Sequence, residues 1–167
     1  MSQPKILLVD DSRSILNALR RTFALENWDI ICAASATEAL AALAHAEVDV
    51  VISDENMPGM CGSEFLKQVR ELYPNVVRMM LTGATDIDVA KRAINQGEIS
   101  RFFTKPWEDY ELLVGVQQAL RVKELESENE HLKASVKRQD HLLAELESEY
   151  PGIADKRLAA DGSIIID

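Results

Sequence analysis

Five short apolar runs alternate with amphipathic stretches over the first hundred residues or so, and the runs are apolar at nearly every position. A strand with one wet face alternates apolar and polar residues. A strand that is apolar throughout must be covered on both faces. This pattern excludes most all-β and all-α folds before any motif is considered. Ile6-Leu7-Leu8-Val9 is the first run, closed by Asp10-Asp11. Asp29-Ile30-Ile31-Cys32-Ala33 is the second, Val48 to Ser53 the third, ending at Asp54, and Val76 to Leu81 the fourth. Phe102-Phe103 lies in the fifth.

The segments between them carry helical spacing. Ile15, Leu16, Leu19 and Phe23 share one face after Ser12, a residue type that caps helix starts. Thr37 to His45 is rich in alanine and leucine, and Glu64 to Leu72 places Phe65, Leu66, Val69 and Leu72 on one side. Ile87 to Asn95 ends at Gly97, a C-cap residue type, and a last helix begins near Glu108. Met57-Pro58-Gly59-Met60 must be a loop, because proline and glycine both interrupt regular structure. Five strand–helix units with buried strands predict an α/β fold, a doubly wound parallel sheet with helices on both faces. In such a sheet, ligands bind beyond the carboxyl ends of the strands.

Charge narrows the partners. A formal charge of -10 argues against a phosphate-backbone ligand, which needs a basic face. No run approaches the roughly 20 apolar residues that span a bilayer. The start, Met1-Ser2-Gln3-Pro4-Lys5, is not that of a signal peptide. Cys32 and Cys61 are enough for one bridge, but nothing else points to an oxidising compartment, so they read as reduced thiols. The expectation is a soluble, acidic, cytoplasmic chain that engages neither nucleic acid nor membrane.

The strand ends collect chemistry: Asp10 and Asp11 after the first, Asp54 after the third, Thr82 after the fourth, Lys105 after the fifth. Three carboxylates brought together repel one another unless a cation intervenes, and Mg²⁺ prefers a few carboxylates with waters and phosphate oxygens. One carboxylate can then act as nucleophile toward a phosphoryl donor, with the ammonium and hydroxyl stabilising charge on the transferred oxygens. Each residue alone has a bland reading as a cap, turn or loop residue. Five such accidents at the strand ends of one sheet are improbable.

Over about residues 4 to 120 the chain resembles the receiver domains of two-component response regulators. The resemblance rests on Val9-Asp10-Asp11, Asp54 with Met57-Pro58-Gly59, Leu81-Thr82-Gly83 and Phe103-Thr104-Lys105-Pro106. It implies a flavodoxin-like sheet of order 2-1-3-4-5. It also implies that Asp54 is the phosphoacceptor and that Asp10, Asp11, Asp54 and the Asn56 backbone carbonyl hold Mg²⁺. Thr82 and Lys105 are implied to sense the phosphoryl group, with Phe102 as an aromatic switch and a histidine kinase or other phosphodonor as partner. Arg101 to Trp107 is similar to receivers linked to HD-GYP phosphodiesterases or to hydrogenase-type transcription regulators. Trp107 itself reads as an anchor for the last helix.

That helix outlasts its sheet-packing face of Leu112, Leu113, Val116 and Leu120. The apolar pattern then changes phase to Val122, Leu125, Asn129, Leu132, Val136, Gln139, Leu143 and Leu146, in alternating steps of three and four. This is a heptad seam, and an asparagine at one a position fixes two-stranded register. Arg121 facing Glu126 and Glu128 facing Lys133 of a second copy favour parallel pairing, so a parallel homodimer is expected. A single solvated helix, or one docked on another domain, is the plainer alternative. The expected organisation is a receiver over 1–120, a coiled-coil extension over 121–149 and a tail over 150–167. Pro151-Gly152 stops the helix, and Asp161-Gly162 is a hairpin turn pair. The tail either pairs across the dimer or begins a further domain.

The chain is therefore read as a phosphoacceptor rather than an enzyme, at most slowly dephosphorylating itself. Aspartyl-phosphate phosphatases typically show Asp-x-Asp after strand one, where this chain has Asp10-Asp11-Ser12. No Gly-x-Gly-x-x-Gly follows that strand either. The alternatives are a phosphorylation-independent dimeric scaffold or the N-terminal part of a larger regulator.

Overall fold

The computed structural model describes residues 2–149, so the expected stop at Pro151-Gly152 and the hairpin at Asp161-Gly162 lie outside the described residues. In chain order the elements are β1 (Lys5–Val9), α1 (Arg13–Thr22), β2 (Asp29–Ala33), α2 (Ala36–His45) and β3 (Val50–Asp54). They continue with α3 (Gly62–Leu72), β4 (Val77–Thr82), a short 3₁₀ turn (Ala84–Asp86), α4 (Ile87–Asn95), β5 (Arg101–Thr104) and α5 (Asp109–Glu149). The five strands form one parallel sheet in the order β2-β1-β3-β4-β5, as expected. β3 starts at Val50 rather than Val48, and α3 starts at Gly62 rather than Glu64.

The apolar strands serve two cores. In β1, Leu7 and Val9 join the cluster that contains Phe65, Leu66 and Val69 of α3 and Ala90 and Ala93 of α4. Ile6 and Leu8 point the other way, to Leu16 and Leu19 of α1 and Leu112 and Val116 of α5. Successive side chains leave opposite faces of a strand, so a run buried throughout supplies both layers at once. Burying four such side chains contributes roughly 1.5–3 kcal/mol each.

Caps set the helix starts. The Ser12 hydroxyl accepts from the Ile15 N–H at 3.4 Å, as expected of a capping serine. Ser35 accepts from the Glu38 N–H at 3.1 Å, while the Glu38 carboxylate reaches back to the Ala34 N–H at 2.9 Å. α4 closes through Gly97 at φ +73, a left-handed conformation that favours glycine.

α5 lies on the sheet through Leu112 and Val116, both 0% exposed, with Leu113 and Leu120 packed at the margin. Gly115 makes this approach possible: a Cβ there would stand 2.6 Å from Cζ of Phe103. Trp107 donates to Thr22 Oγ1 at 3.2 Å and to Asp109 Oδ1 at 3.0 Å, which ties the start of α5 to the end of α1. The chain divides into two compact units, the first ending at Lys123 and the second beginning at Glu124. Lys123 pairs with Asp49 Oδ1 at 3.4 Å within the first. In the second, all the described residues are helical and belong to α5.

Candidate phosphorylation site

Register brings the site residues together. Val9 pairs with Ser53, so Asp10 and Asp54, each the next residue, emerge side by side. Asp54 pairs with Leu81, one residue before Thr82, and Thr82 pairs with Thr104, one residue before Lys105. The Lys105 N–H donates to the Thr82 carbonyl at 2.8 Å and carries the ladder to the lysine itself.

At this edge, carboxylate oxygens of Asp10, Asp11 and Asp54 all lie within 4.8 Å of one another. Asp10 and Asp54 are buried and Asp11 is exposed. One Asp10 oxygen accepts from the Ser12 N–H at 2.9 Å, so the other is left for Lys105. The Lys105 ammonium bridges Asp10 Oδ2 at 2.8 Å and Asp54 Oδ1 at 3.2 Å. One ammonium in contact with two of three clustered carboxylates leaves a local excess of negative charge.

The titration tendencies follow from this arrangement. Burial is the main cause that lifts the Asp54 pKa above its ordinary value, and the neighbouring Asp10 charge adds to it. Lys105 and the Asn56 backbone N–H pull the other way without reversing the shift. For Lys105, burial opposes the charged form, but the hydrogen bond and charge of Asp10, with those of Asp54, outweigh it and raise the pKa.

A fourth carboxylate nearby is spent elsewhere. Glu55 is buried, and its side chain accepts from the Ser63 N–H at 2.8 Å and the Ser63 hydroxyl at 3.0 Å. It therefore anchors the first turn of α3, where acceptors for free N–H groups are needed. Gly62 completes this anchor: its N–H donates to the Glu55 carbonyl at 2.9 Å, and a Cβ would fall 2.0 Å from the Asp54 carbonyl oxygen. Neither role was legible in the sequence, because the constraint on Gly62 comes from backbone eight residues earlier and not from its own dihedrals.

The other expected residues occupy distinct places. Thr82 is fully buried at the end of β4, its hydroxyl donating to the Gly83 carbonyl at 3.3 Å. Phe102 is half-buried against the α3–α4 core, and Phe103 is buried on the opposite face under α5. Asn56 is exposed, and its side-chain amide donates to the Asp86 carboxylate in the 3₁₀ turn, a contact that sequence reasoning missed. The seam residues Val122, Leu125, Leu132, Val136, Leu143 and Leu146 belong to the long helix and are 42–58% exposed. The two cysteines are free. No described helix is long and apolar enough to cross a membrane.

The family model for the response regulator receiver domain matches residues 6–117. The hydrogenase transcriptional regulatory protein HoxA of Cupriavidus necator is 34% identical over 147 residues, covering 88% of this chain and 30% of its own length. The C4-dicarboxylate transport transcriptional regulatory protein DctD of Rhizobium meliloti is 35% identical, covering 78% of this chain and 28% of its own length. The chain thus spans less than a third of either regulator. Among solved structures, the signal receiver domain of an HD domain-containing protein from Pseudomonas fluorescens is 41% identical with a TM-score of 0.72, covering 77% of this chain and 94% of that one.

Proposed function

Because the chain belongs to the response-regulator receiver family, we propose that it accepts a phosphoryl group on Asp54 in a Mg²⁺-dependent reaction and signals through coiled-coil pairing of α5. The donor is a histidine kinase or a small acyl phosphate. The observation that carries this reading is the Lys105 ammonium bridging Asp10 and Asp54 beside a third carboxylate. Three hard oxygen donors with surplus negative charge suit Mg²⁺. Asp10, Asp11, Asp54 and the Asn56 backbone carbonyl would hold it. When bound, the ion supplies positive charge that offsets the carboxylates and the phosphoryl oxygens.

The chain's own groups do the rest. An Asp54 carboxylate oxygen attacks phosphorus, and the bond from phosphorus to the donor's imidazole nitrogen or acyl oxygen breaks, its electron pair leaving with the donor. Lys105, already charged and close to Asp54, exchanges a carboxylate contact for a phosphoryl oxygen. The Thr82 hydroxyl holds only a long bond to Gly83 and exchanges it for the same anion. Phe102, half-buried on the neighbouring strand, repacks as Thr82 shifts.

The extension carries the output in this reading. Its seam is apolar and exposed, and a long helix draws most of its stability from packing one face. A second parallel copy covers that face, with Asn129 setting register.

The test is intact-protein mass spectrometry with light scattering after size exclusion, with and without Mg²⁺ and acetyl phosphate. A single Mg²⁺-dependent phosphoryl adduct, lost in Asp54→Asn, is expected on a dimer. An adduct that survives Asp54→Asn sinks the assignment, and no adduct at any Mg²⁺ concentration leaves only a scaffold.

A further inference from the structure

Asn56 stands out beside Asp54. In the stretch from Val50 to Met57 every residue but Asn56 is buried. It nevertheless meets the site, since its backbone N–H is among the groups acting on the Asp54 carboxyl. Nothing in the core holds its side chain. The restraint comes from across the site edge: the Asn56 amide Nδ2 donates to Asp86 Oδ2. Asp86 closes the 3₁₀ turn that follows β4, and its own N–H is tied to the Gly83 carbonyl at 3.1 Å. The Thr85 hydroxyl also donates to Asp86 Oδ2, at 3.4 Å. The bridge therefore joins the segment after Asp54 to the segment after Thr82, 30 residues apart in sequence.

We propose that Asp86 is a positioning residue for phosphoryl transfer: by holding the Asn56 side chain, it fixes the orientation of the Asn56 peptide at the phosphorylation site. This inference rests on the proposed function, in which the Asn56 carbonyl is a Mg²⁺ ligand. Asp86 touches neither Asp54 nor the phosphoryl group in this scheme; it acts by limiting the backbone freedom of one exposed loop residue between two buried neighbours. Groups that orient a metal ligand typically cost tenfold or more in affinity when removed. Because Asp86 acts through a backbone ligand, the low end of that range, about tenfold, is expected.

The experiment measures Mg²⁺ affinity by calorimetry on the full chain without phosphodonor, and the Mg²⁺ dependence of acetyl phosphate labelling. Asp86→Ala is expected to raise both half-saturating Mg²⁺ concentrations about tenfold while labelling at saturating Mg²⁺ stays within about twofold. Asn56→Ala should weaken Mg²⁺ affinity to the same extent, and the double variant should weaken it no further. Asp86→Asn keeps an acceptor for the Asn56 amide and should restore most of the affinity, which separates hydrogen bonding from the loss of a charge. Unchanged affinity in Asp86→Ala, additive effects of the two alanines, or an Asp86→Asn variant as weak as the alanine overturns the proposal. A wild-type chain that neither binds Mg²⁺ nor takes a phosphoryl group overturns the proposed function as well, whereas normal wild-type binding with an indifferent Asp86 overturns this inference alone.

Discussion

The first 123 residues and the 26 described residues that follow treat the same apolar side chains in opposite ways. In the first unit, Leu7, Leu8, Leu66 and Leu112 are 0% exposed, each covered by another part of the same chain. In the second, Leu125, Leu132 and Leu143 are 53%, 58% and 54% exposed. The described residues of the second unit are helical, with one side-chain contact between a histidine and a carboxylate among them, His141 Nε2 with Glu145 Oε1 at 3.1 Å, exposed on both sides and worth little. Helical periodicity occurs in both. What differs is the covering surface: the doubly wound sheet supplies its own, whereas the apolar side chains of the second unit find none among the described residues, and the proposed heptad pairing would supply it from a second helix.

Substitutions can break that contrast, and the largest effect belongs to the seam. Leu125→Lys combined with Leu132→Lys places two charges where a partner's apolar face is expected. Pairing should weaken by about 3 kcal/mol or more, over a hundredfold in Kd. Light scattering should then report a monomer whose Asp54 is still labelled. A dimer that persists would place pairing elsewhere.

A core truncation should behave otherwise. Leu66→Ala in α3 is expected to lower unfolding stability by about 2–5 kcal/mol. Urea unfolding should give the same loss at every protein concentration, because the first unit covers its own core. Loss that depends on concentration would mean that this core, too, is completed by a partner.

Gly62→Ala is expected to cost about 1–3 kcal/mol by crowding the Asp54 carbonyl, and to slow labelling because the strain falls on the backbone of Asp54, the proposed phosphoacceptor. An alanine variant with wild-type stability and labelling would show that α3 can move away without disturbing the site.

The smallest effect concerns pH. Because the Asp54 pKa is raised on folding, the folded chain holds a proton that the unfolded chain has lost between the two pKa values. The ionised carboxylate therefore destabilises the metal-free fold above the raised pKa, and the cost is relieved as pH falls through that window. Asp54→Asn should thus stabilise the metal-free chain at neutral pH, with the gain shrinking in acid. Thermal unfolding at several pH values with a chelator present checks this, and a variant less stable than wild type at neutral pH would reverse the sign.

Legibility varied by element. The five strands, five helices and their order were readable because burial on both faces leaves a continuous apolar run that local sequence cannot disguise. The gathering of Asp10, Asp11, Asp54 and Lys105 was readable because parallel strands all end on the same side. Contacts made by ordinary polar residues were not. Nothing in the neighbourhood of Asp86 marks it as the partner of Asn56, and nothing near Glu55 marks it as an anchor for α3 rather than a third buried acid of the site. Thr22 gives no sign of meeting Trp107 and Asp109 across two elements.

By itself, then, the sequence determined the layer architecture and the end of the sheet where the carboxylates gather, because both follow from the period of the apolar runs, and periodicity is a local property. The tertiary structure decided which of four neighbouring carboxylates face Lys105, which glycine must lack a side chain and which loop residue is held by Asp86. Those outcomes depend on the distances between segments far apart in the chain, and they are fixed only when strand register and helix docking are fixed together.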